Sequence, residues 1–298
     1  MEAHPHAEAD VSPPATLPAA LRLGPVHLTV TDVDRSVAFY CDALGLRPHR
    51  REDRTAALGT GGEDLLVLVE EPGARPPGRH AGLFHVALLY PSREELARGV
   101  VRLGATATPI DGASDHGVSE AIYLSDPDGN GIELYADRPR ERWPAAAPGE
   151  RVGMFTRRLD LRGLVDVLAG EASHRHAEAG LAVGHVHLHV GDLDRGRAFY
   201  RDVLGFEEMV IVPGAAFLAA GGYHHHLGFN VWRGADVPPA PADAVGLRRW
   251  TIVLPGEADL AAAGERLGRA GVEAEDDDNG LLLRDPWEIA VQLVVARA

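Results

Sequence analysis

The residues able to do chemistry here are imidazoles set at alternating positions on apolar strands, with one carboxylate placed the same way. Successive strand side chains point to opposite faces. In Ile132-Glu133-Leu134-Tyr135 the acid therefore stands alone opposite Ile132 and Leu134. His85 stands opposite Phe84, Val86 and Leu88, and His27 opposite Val26, Leu28 and Val30. His185, His187 and His189 share one face of their strand, and His224 and His226 share one face of YHHHLGFNVW, which leaves His225 pointing away as a structural residue. The apolar sets are expected to pack on helices, so the imidazoles and the acid look to the other side of the sheet. One such residue alone reads as an ordinary satisfied strand side chain; shared parity across several strands is what argues for a metal. Neutral imidazole nitrogen with carboxylate oxygen suits Fe(II), Mn(II), Zn(II) or Ni(II), and three protein ligands on one side leave room for substrate and O₂. Without cysteine ligands a structural zinc site is not expected.

The elements that must position these groups repeat. GHVHLHVGDLDRGRAFYRDVLGF (Gly184–Phe206) restates GPVHLTVTDVDRSVAFYCDALGL (Gly24–Leu46), and DPWEIAVQLV (Asp285–Val294) restates DPDGNGIELY (Asp126–Tyr135). Each half reads as two β-α-β-type units, giving four over about 21–72, 82–138, 182–234 and 247–295. Helices are expected from Asp34, capped by Asp32 or Asp34, and from Ser92, capped by Ser92 with Glu95 three residues on. Strand, tight turn and strand run from His116 to Tyr135, with Asp126-Pro127-Asp128-Gly129-Asn130-Gly131 as the turn. The fold class is α+β: tandem βαβββ units in two open barrel-like modules. The expected domains are a flexible leader over 1–20, a first domain over 21–138, a connector with one helix over 139–181, and a second domain over 182–298. Asp276-Asp277-Asp278 before Asn279-Gly280 reads as a solvated acidic turn.

At 298 residues and 45% hydrophobic, the chain can bury a core in each half. A net charge of −15 argues against nucleic-acid and anionic membrane surfaces. The first residues, MEAHPHAEADVSPP, lack a basic and an apolar region and do not read as a secretory signal. The single cysteine, Cys41, fits a reducing compartment. A cytoplasmic protein is expected, with homo-oligomerisation left open.

At these residues the chain resembles the vicinal oxygen chelate superfamily, and within it the extradiol ring-cleaving dioxygenases of the catechol 2,3-dioxygenase group. The resemblance covers about 21–138 and 182–297. Its most specific part is His116, Ile122-Tyr123, Asp126-Pro127, Gly129 and Glu133, which follows the pattern H-x5-[apolar]-Y-x2-D-P-x-G-x3-E; Ser114 departs from the usual type two before the histidine. GGYHHHLGFNVW is also similar to this group. The resemblance implies one metal cupped by paired units, Fe(II) with Mn(II) as the other option. The ligands it implies are His85, Glu133 and a histidine of a partner unit: His187 if units two and three pair, His27 if units one and two pair. His187 is preferred, because only the unit-three side offers a proton donor, in His224 or His226. Trp250 and Gln292 stand where unit four would carry ligands, so one metal per chain is expected. The implied substrates are a small aromatic diol and O₂. His224 or His226 would be the acid–base, Tyr123 would stabilise the ring intermediate, and His116 would hydrogen-bond its oxygen. Two other functions fit the same superfamily: a glyoxalase-type isomerase, which needs a second carboxylate, and a metal-free binding protein, which needs an aromatic cleft that 6% aromatics poorly supply.

Overall fold

The computed structural model describes residues 16–277 and 280–296. Four units follow in chain order. The first has β1 (Arg22–Leu23), β2 (Val26–Val30), α1 (Val33–Asp42), β3 (Arg47–Glu52), β4 (Thr55–Gly59) and β5 (Asp64–Glu70). The second has β6 (Gly82–Tyr90), α2 (Arg93–Ala105), β7 (Gly112–Asp115), β8 (Ser119–Ser125) and β9 (Gly131–Asp137). A connector carries β10 (Arg157–Arg158) and α3 (Leu161–Val165). The third has β11 (Ala182–His189), α4 (Leu193–Arg197), β12 (Glu207–Val212), β13 (Ala215–Ala219) and β14 (Leu227–Asn230). The fourth has β15 (Gly246–Leu254), α5 (Glu257–Arg269), β16 (Ala274–Asp277), β17 (Gly280–Arg284) and β18 (Ala290–Val295).

β1 pairs antiparallel with β15 of unit four; β2 is then the first strand of the repeat in unit one, and in every unit the first strand of the repeat lies parallel to the last, with the remaining strands meandering antiparallel from it. The helix between first and second strand is the crossover that a parallel pair requires. The caps follow the sequence: Asp32 accepts from Arg35 N at 2.9 Å and Ser92 from Glu95 N at 3.2 Å. The first strands of two units then pair antiparallel. β2 pairs with β15, joining units one and four in one sheet, labelled the outer sheet, and β6 pairs with β11, joining units two and three in the other, labelled the inner sheet. Each sheet is thus assembled across both halves of the sequence. The apolar parity sets, including Val26, Leu28, Val86, Leu88, Ile132, Leu134, Val186 and Leu188, are buried together with the helices' inner faces.

Tyrosines of the odd units tie the Asp-Pro turns of the even units. Tyr40 of α1 donates its hydroxyl to Asp126 at 3.0 Å, and Tyr200, in the helical turns after α4, donates to Asp285 at 2.7 Å. Each carboxylate also takes backbone N–H groups of its own turn, Asp128 and Asn130 in one case and Trp287 and Ile289 in the other.

Residues 1–15 of the expected leader lie outside the described residues. Within the rest of that stretch Leu17 is buried and its N–H donates to Gly205 O at 2.8 Å, while Thr16, Ala19 and Ala20 are exposed. Asp276 and Asp277 belong to β16 rather than to a turn, because they pair with Leu281 and Gly280 of β17; Asp278 and Asn279 lie outside the described residues. No helix among the described residues is long and apolar enough to cross a membrane.

Candidate metal centre

Three buried side chains converge on the concave face of the inner sheet: His85, Glu133 and His185. His85 Nε2 lies 3.0 Å from Glu133 Oε2, His185 Nε2 lies 3.2 Å from the same oxygen, and the two Nε2 atoms are 3.3 Å apart. With metal–ligand bonds of about 2.1 Å, atoms on adjacent octahedral corners are about 3.0 Å apart and on tetrahedral corners about 3.4 Å. All three gaps fall in that range, so one divalent ion reaches the set without backbone movement. Burial alone would raise the Glu133 carboxyl, but His185 and then His85 hold it well below the usual carboxylate range. Burial lowers His185 to about 4, against the pull of Glu133. A carboxylate beside a neutral His185 at pH 7 is the protonation state a metal requires.

Strand register builds this triangle. Glu133 of β9 is the partner of Ala87 in β6, and Ala87 is the partner of His185 in β11. The acid and the histidine therefore flank a fully buried alanine whose methyl leaves room for them to approach above it. His85, two residues along β6 on the same face, supplies the third corner. His187 sits two pairs further on, on the same face, opposite His85. Its Nε2 takes the Asn230 side-chain amide at 2.9 Å instead of joining the triangle. The third corner is thus His185, a correction to the expectation of His187; both face the cup, and parity alone could not separate them. His27, the other option, lies in the opposite sheet, where it pairs with Arg249. Register also corrects the unit-four comparison: Gln292 does match Glu133, but Arg249, not the fully buried Trp250, occupies the position of His85.

The YHHH segment holds a second correction. Alternation there presumed a strand, but β14 starts only at Leu227, after a turn through Gly221 and Gly222 at φ +64° and +70°. His226 Nδ1 accepts from Ala220 N at 3.2 Å and holds that turn. His225 faces the cup: its ring centroid is 4.1 Å from that of His185 and 5.1 Å from Phe217. His224 stands behind it, with Nε2 2.8 Å from Asp137 Oδ1 and Nδ1 2.7 Å from His225 Nδ1. The carboxylate only accepts, so His224 carries its proton on Nε2 and its Nδ1 is bare. His225 must then donate Nδ1–H to it, which leaves His225 Nε2 as a free base. Tyr223 donates to the other oxygen of Asp137 at 2.9 Å and fixes the carboxylate.

On the other flank, Tyr123 is the neighbour of Glu133 in β8. Burial, then Glu133, raises its pKa, so it keeps its proton. His116 Nδ1 lies 3.1 Å from Phe155 O and 3.2 Å from the Thr156 hydroxyl, and its Nε2 lies 2.7 Å from the Tyr123 hydroxyl, which keeps its proton and can donate to it. Both His116 nitrogens are spent inside the protein, which makes it the residue that orients Tyr123. The connector closes this side of the cup: Val152 packs with Val118, Met209 and Val210, and the Trp143 ring lies 5.6 Å from His224. Asp137, Asn230 and the connector were not singled out in the sequence; Asp137 follows Glu133 by four on the same strand face, a signal that was there to read.

A cupped sheet of paired βαβββ units, holding two histidines and one glutamate in an open triangle, defines a mononuclear metal protein of the vicinal oxygen chelate type. Residues 22–134 and 182–293 match the Glyoxalase/Bleomycin resistance protein/Dioxygenase superfamily, and the chain belongs to that family. It is 42% identical over 269 residues, 89% of this chain and 93% of the relative, to the catechol-2,3-dioxygenase of Bacillus subtilis (strain 168). Solved structures share the fold. One from Bacillus subtilis (strain 168) superposes with a TM-score of 0.64 at 14% identity, covering 95% of this chain and 87% of the other. Glyoxalase I from Zea mays does so with a TM-score of 0.58 at 19% identity, covering 93% and 92%.

Proposed function

We propose that this chain is an extradiol ring-cleaving dioxygenase, joining O₂ to a catechol-type diol at a divalent metal, Fe(II) or Mn(II), held by His85, Glu133 and His185. The observation that carries the reading is the ligand triangle with a free imidazole base beside it, in a chain closely related to a catechol-2,3-dioxygenase. A divalent ion held by His85, Glu133 and His185 would supply Lewis acidity toward the diol. His225 Nε2 takes a proton from the incoming diol; the positive charge spreads through His224 toward Asp137, and the same nitrogen returns the proton later. Tyr123, locked by His116, presents its hydroxyl oxygen to the ring. The connector and Phe217 exclude water. The bond beside the two hydroxyl carbons breaks, both oxygen atoms enter the product, and the product carries one aldehyde and one carboxylate. A glyoxalase-type isomerase needs a second carboxylate on the metal, and the triangle holds one. The single thiol, Cys41, is unpaired, in keeping with a cytoplasmic enzyme.

The test is anaerobic loading with Fe(II), then catechol and air, with oxygen uptake and the yellow ring-opened product followed together. Wild type should consume one O₂ per diol, and Glu133→Gln should consume none. Absence of uptake by metal-loaded wild type across simple and substituted catechols would end this reading.

A further inference from the structure

The outer sheet forms a second cup by the same register, with different donors on its floor. Arg249 pairs with His27 as His85 pairs with His187. Gln292 pairs with Thr251 as Glu133 pairs with Ala87. Pro25, whose carbonyl accepts the Thr251 hydroxyl at 2.9 Å, stands where His185 would be. Two imidazoles and a carboxylate have become a guanidinium, an amide that donates to Asp277, and a proline: the one charge left in the set is positive.

Arg249 makes no hydrogen bond or ion pair among the described residues, and its Nε is fully buried. A guanidinium that lines a cleft without a protein acceptor leaves its outer N–H groups to a ligand or to solvent. Three of the acids nearby are engaged elsewhere. Glu63 is paired with Arg22, Asp64 lies 2.9 Å from His49 and 3.8 Å from Arg50, and Asp277 accepts from Gln292. Glu257 also lines the cleft. At His27, on the floor, the charges acting after burial are all cationic: Arg249, Arg248 and Arg50. The cleft holds about 730 Å³, room for one small organic anion.

We propose that the outer cup is a carboxylate-binding site, with Arg249 as its anchor. The planar guanidinium fork matches a carboxylate with two parallel N–H donors. The site is separate from the metal centre and independent of the reaction assigned there; the ring-opened product is one carboxylate within its class.

Benzoate is the probe, titrated calorimetrically into the metal-loaded enzyme. Wild type and Glu133→Gln should both show a saturable site, because the cup does not involve the metal. Arg249→Met should weaken it by about tenfold or more, the loss expected for one charged hydrogen-bonded pair. Arg249→Met should leave catechol turnover unchanged, which shows that the variant is folded. No saturable site in wild type would overturn the proposal, as would equal binding by Arg249→Met. Loss of the site in Glu133→Gln would place the anion on the metal and overturn it too, and equal binding of chloride would remove its carboxylate character.

Discussion

Replacing His185 and His187 by alanine, one at a time, separates the two candidates for the third ligand. Folding-linked binding of a divalent ion in a protein site is of order 10 kcal/mol. Shared among three ligands, that is about 3 kcal/mol each, so His185→Ala should weaken the metal by about a hundredfold or more. It also leaves Glu133, 3% exposed, with one imidazole partner instead of two. His187 touches no ligand oxygen: its Nε2 bonds to Asn230, and its ring centroid lies 5.0 Å from that of His85. Losing one neutral hydrogen bond costs about 1 kcal/mol, so His187→Ala should change metal affinity by less than about tenfold. The assay is competition for Fe(II) against a chromophoric chelator, with metal content measured after gel filtration. Retained metal in His185→Ala with loss in His187→Ala would refute the register argument.

Three further outcomes follow from the geometry. Asp137→Asn can offer an N–H to His224 Nε2 and reverse the tautomers, which protonates the working nitrogen of His225; kcat should fall by about a hundredfold or more with metal content intact, and His225→Ala should match it in steady-state kinetics. Gly131→Ala would place a methyl 2.0 Å from Phe84 O, so the strand beside His85 must shift; urea unfolding should show a loss of about 3 kcal/mol or more. His27 is lowered to about 3 by burial and then by its arginines, against an ordinary value of 6.5. The unfolded chain therefore binds a proton that the folded chain refuses between those values, and this contribution to stability is lost as pH falls from about 6.5 to about 3. His27→Gln should flatten that acid slope in urea unfolding near pH 7 and near pH 4; an unchanged slope would show that His27 is not held neutral.

Face was legible in the sequence and row was not. Alternation put His85, Glu133 and His185 on the concave side correctly, because a period of two follows from the pleat. Which of His185 and His187 meets Glu133 depends on how β11 slides against β6, and that pairing contains two irregularities, between Val183 and His185 and between His187 and Leu188. No local pattern encodes those slips. His225 was misread for a related reason: parity has meaning only inside a strand, and two glycines bend the chain there. β3, Arg-Pro-His-Arg-Arg-Glu, went unseen because it is exposed along its whole length, an edge strand with no apolar face to alternate. The duplication, by contrast, was plain, since the helices and Asp-Pro turns of both halves must satisfy the same packing.

His85 and Glu133 belong to the first half of the polypeptide and His185 to the second, across a strand pair that closes only when the halves meet. During synthesis the ribosome releases two of the three donors well before the last one exists. The emerging first half can grip an ion only weakly, and tight capture waits until the inner sheet zips shut. Metal uptake thereby reports on completed assembly, and a truncated translation product would leave the cell's metal pool untouched.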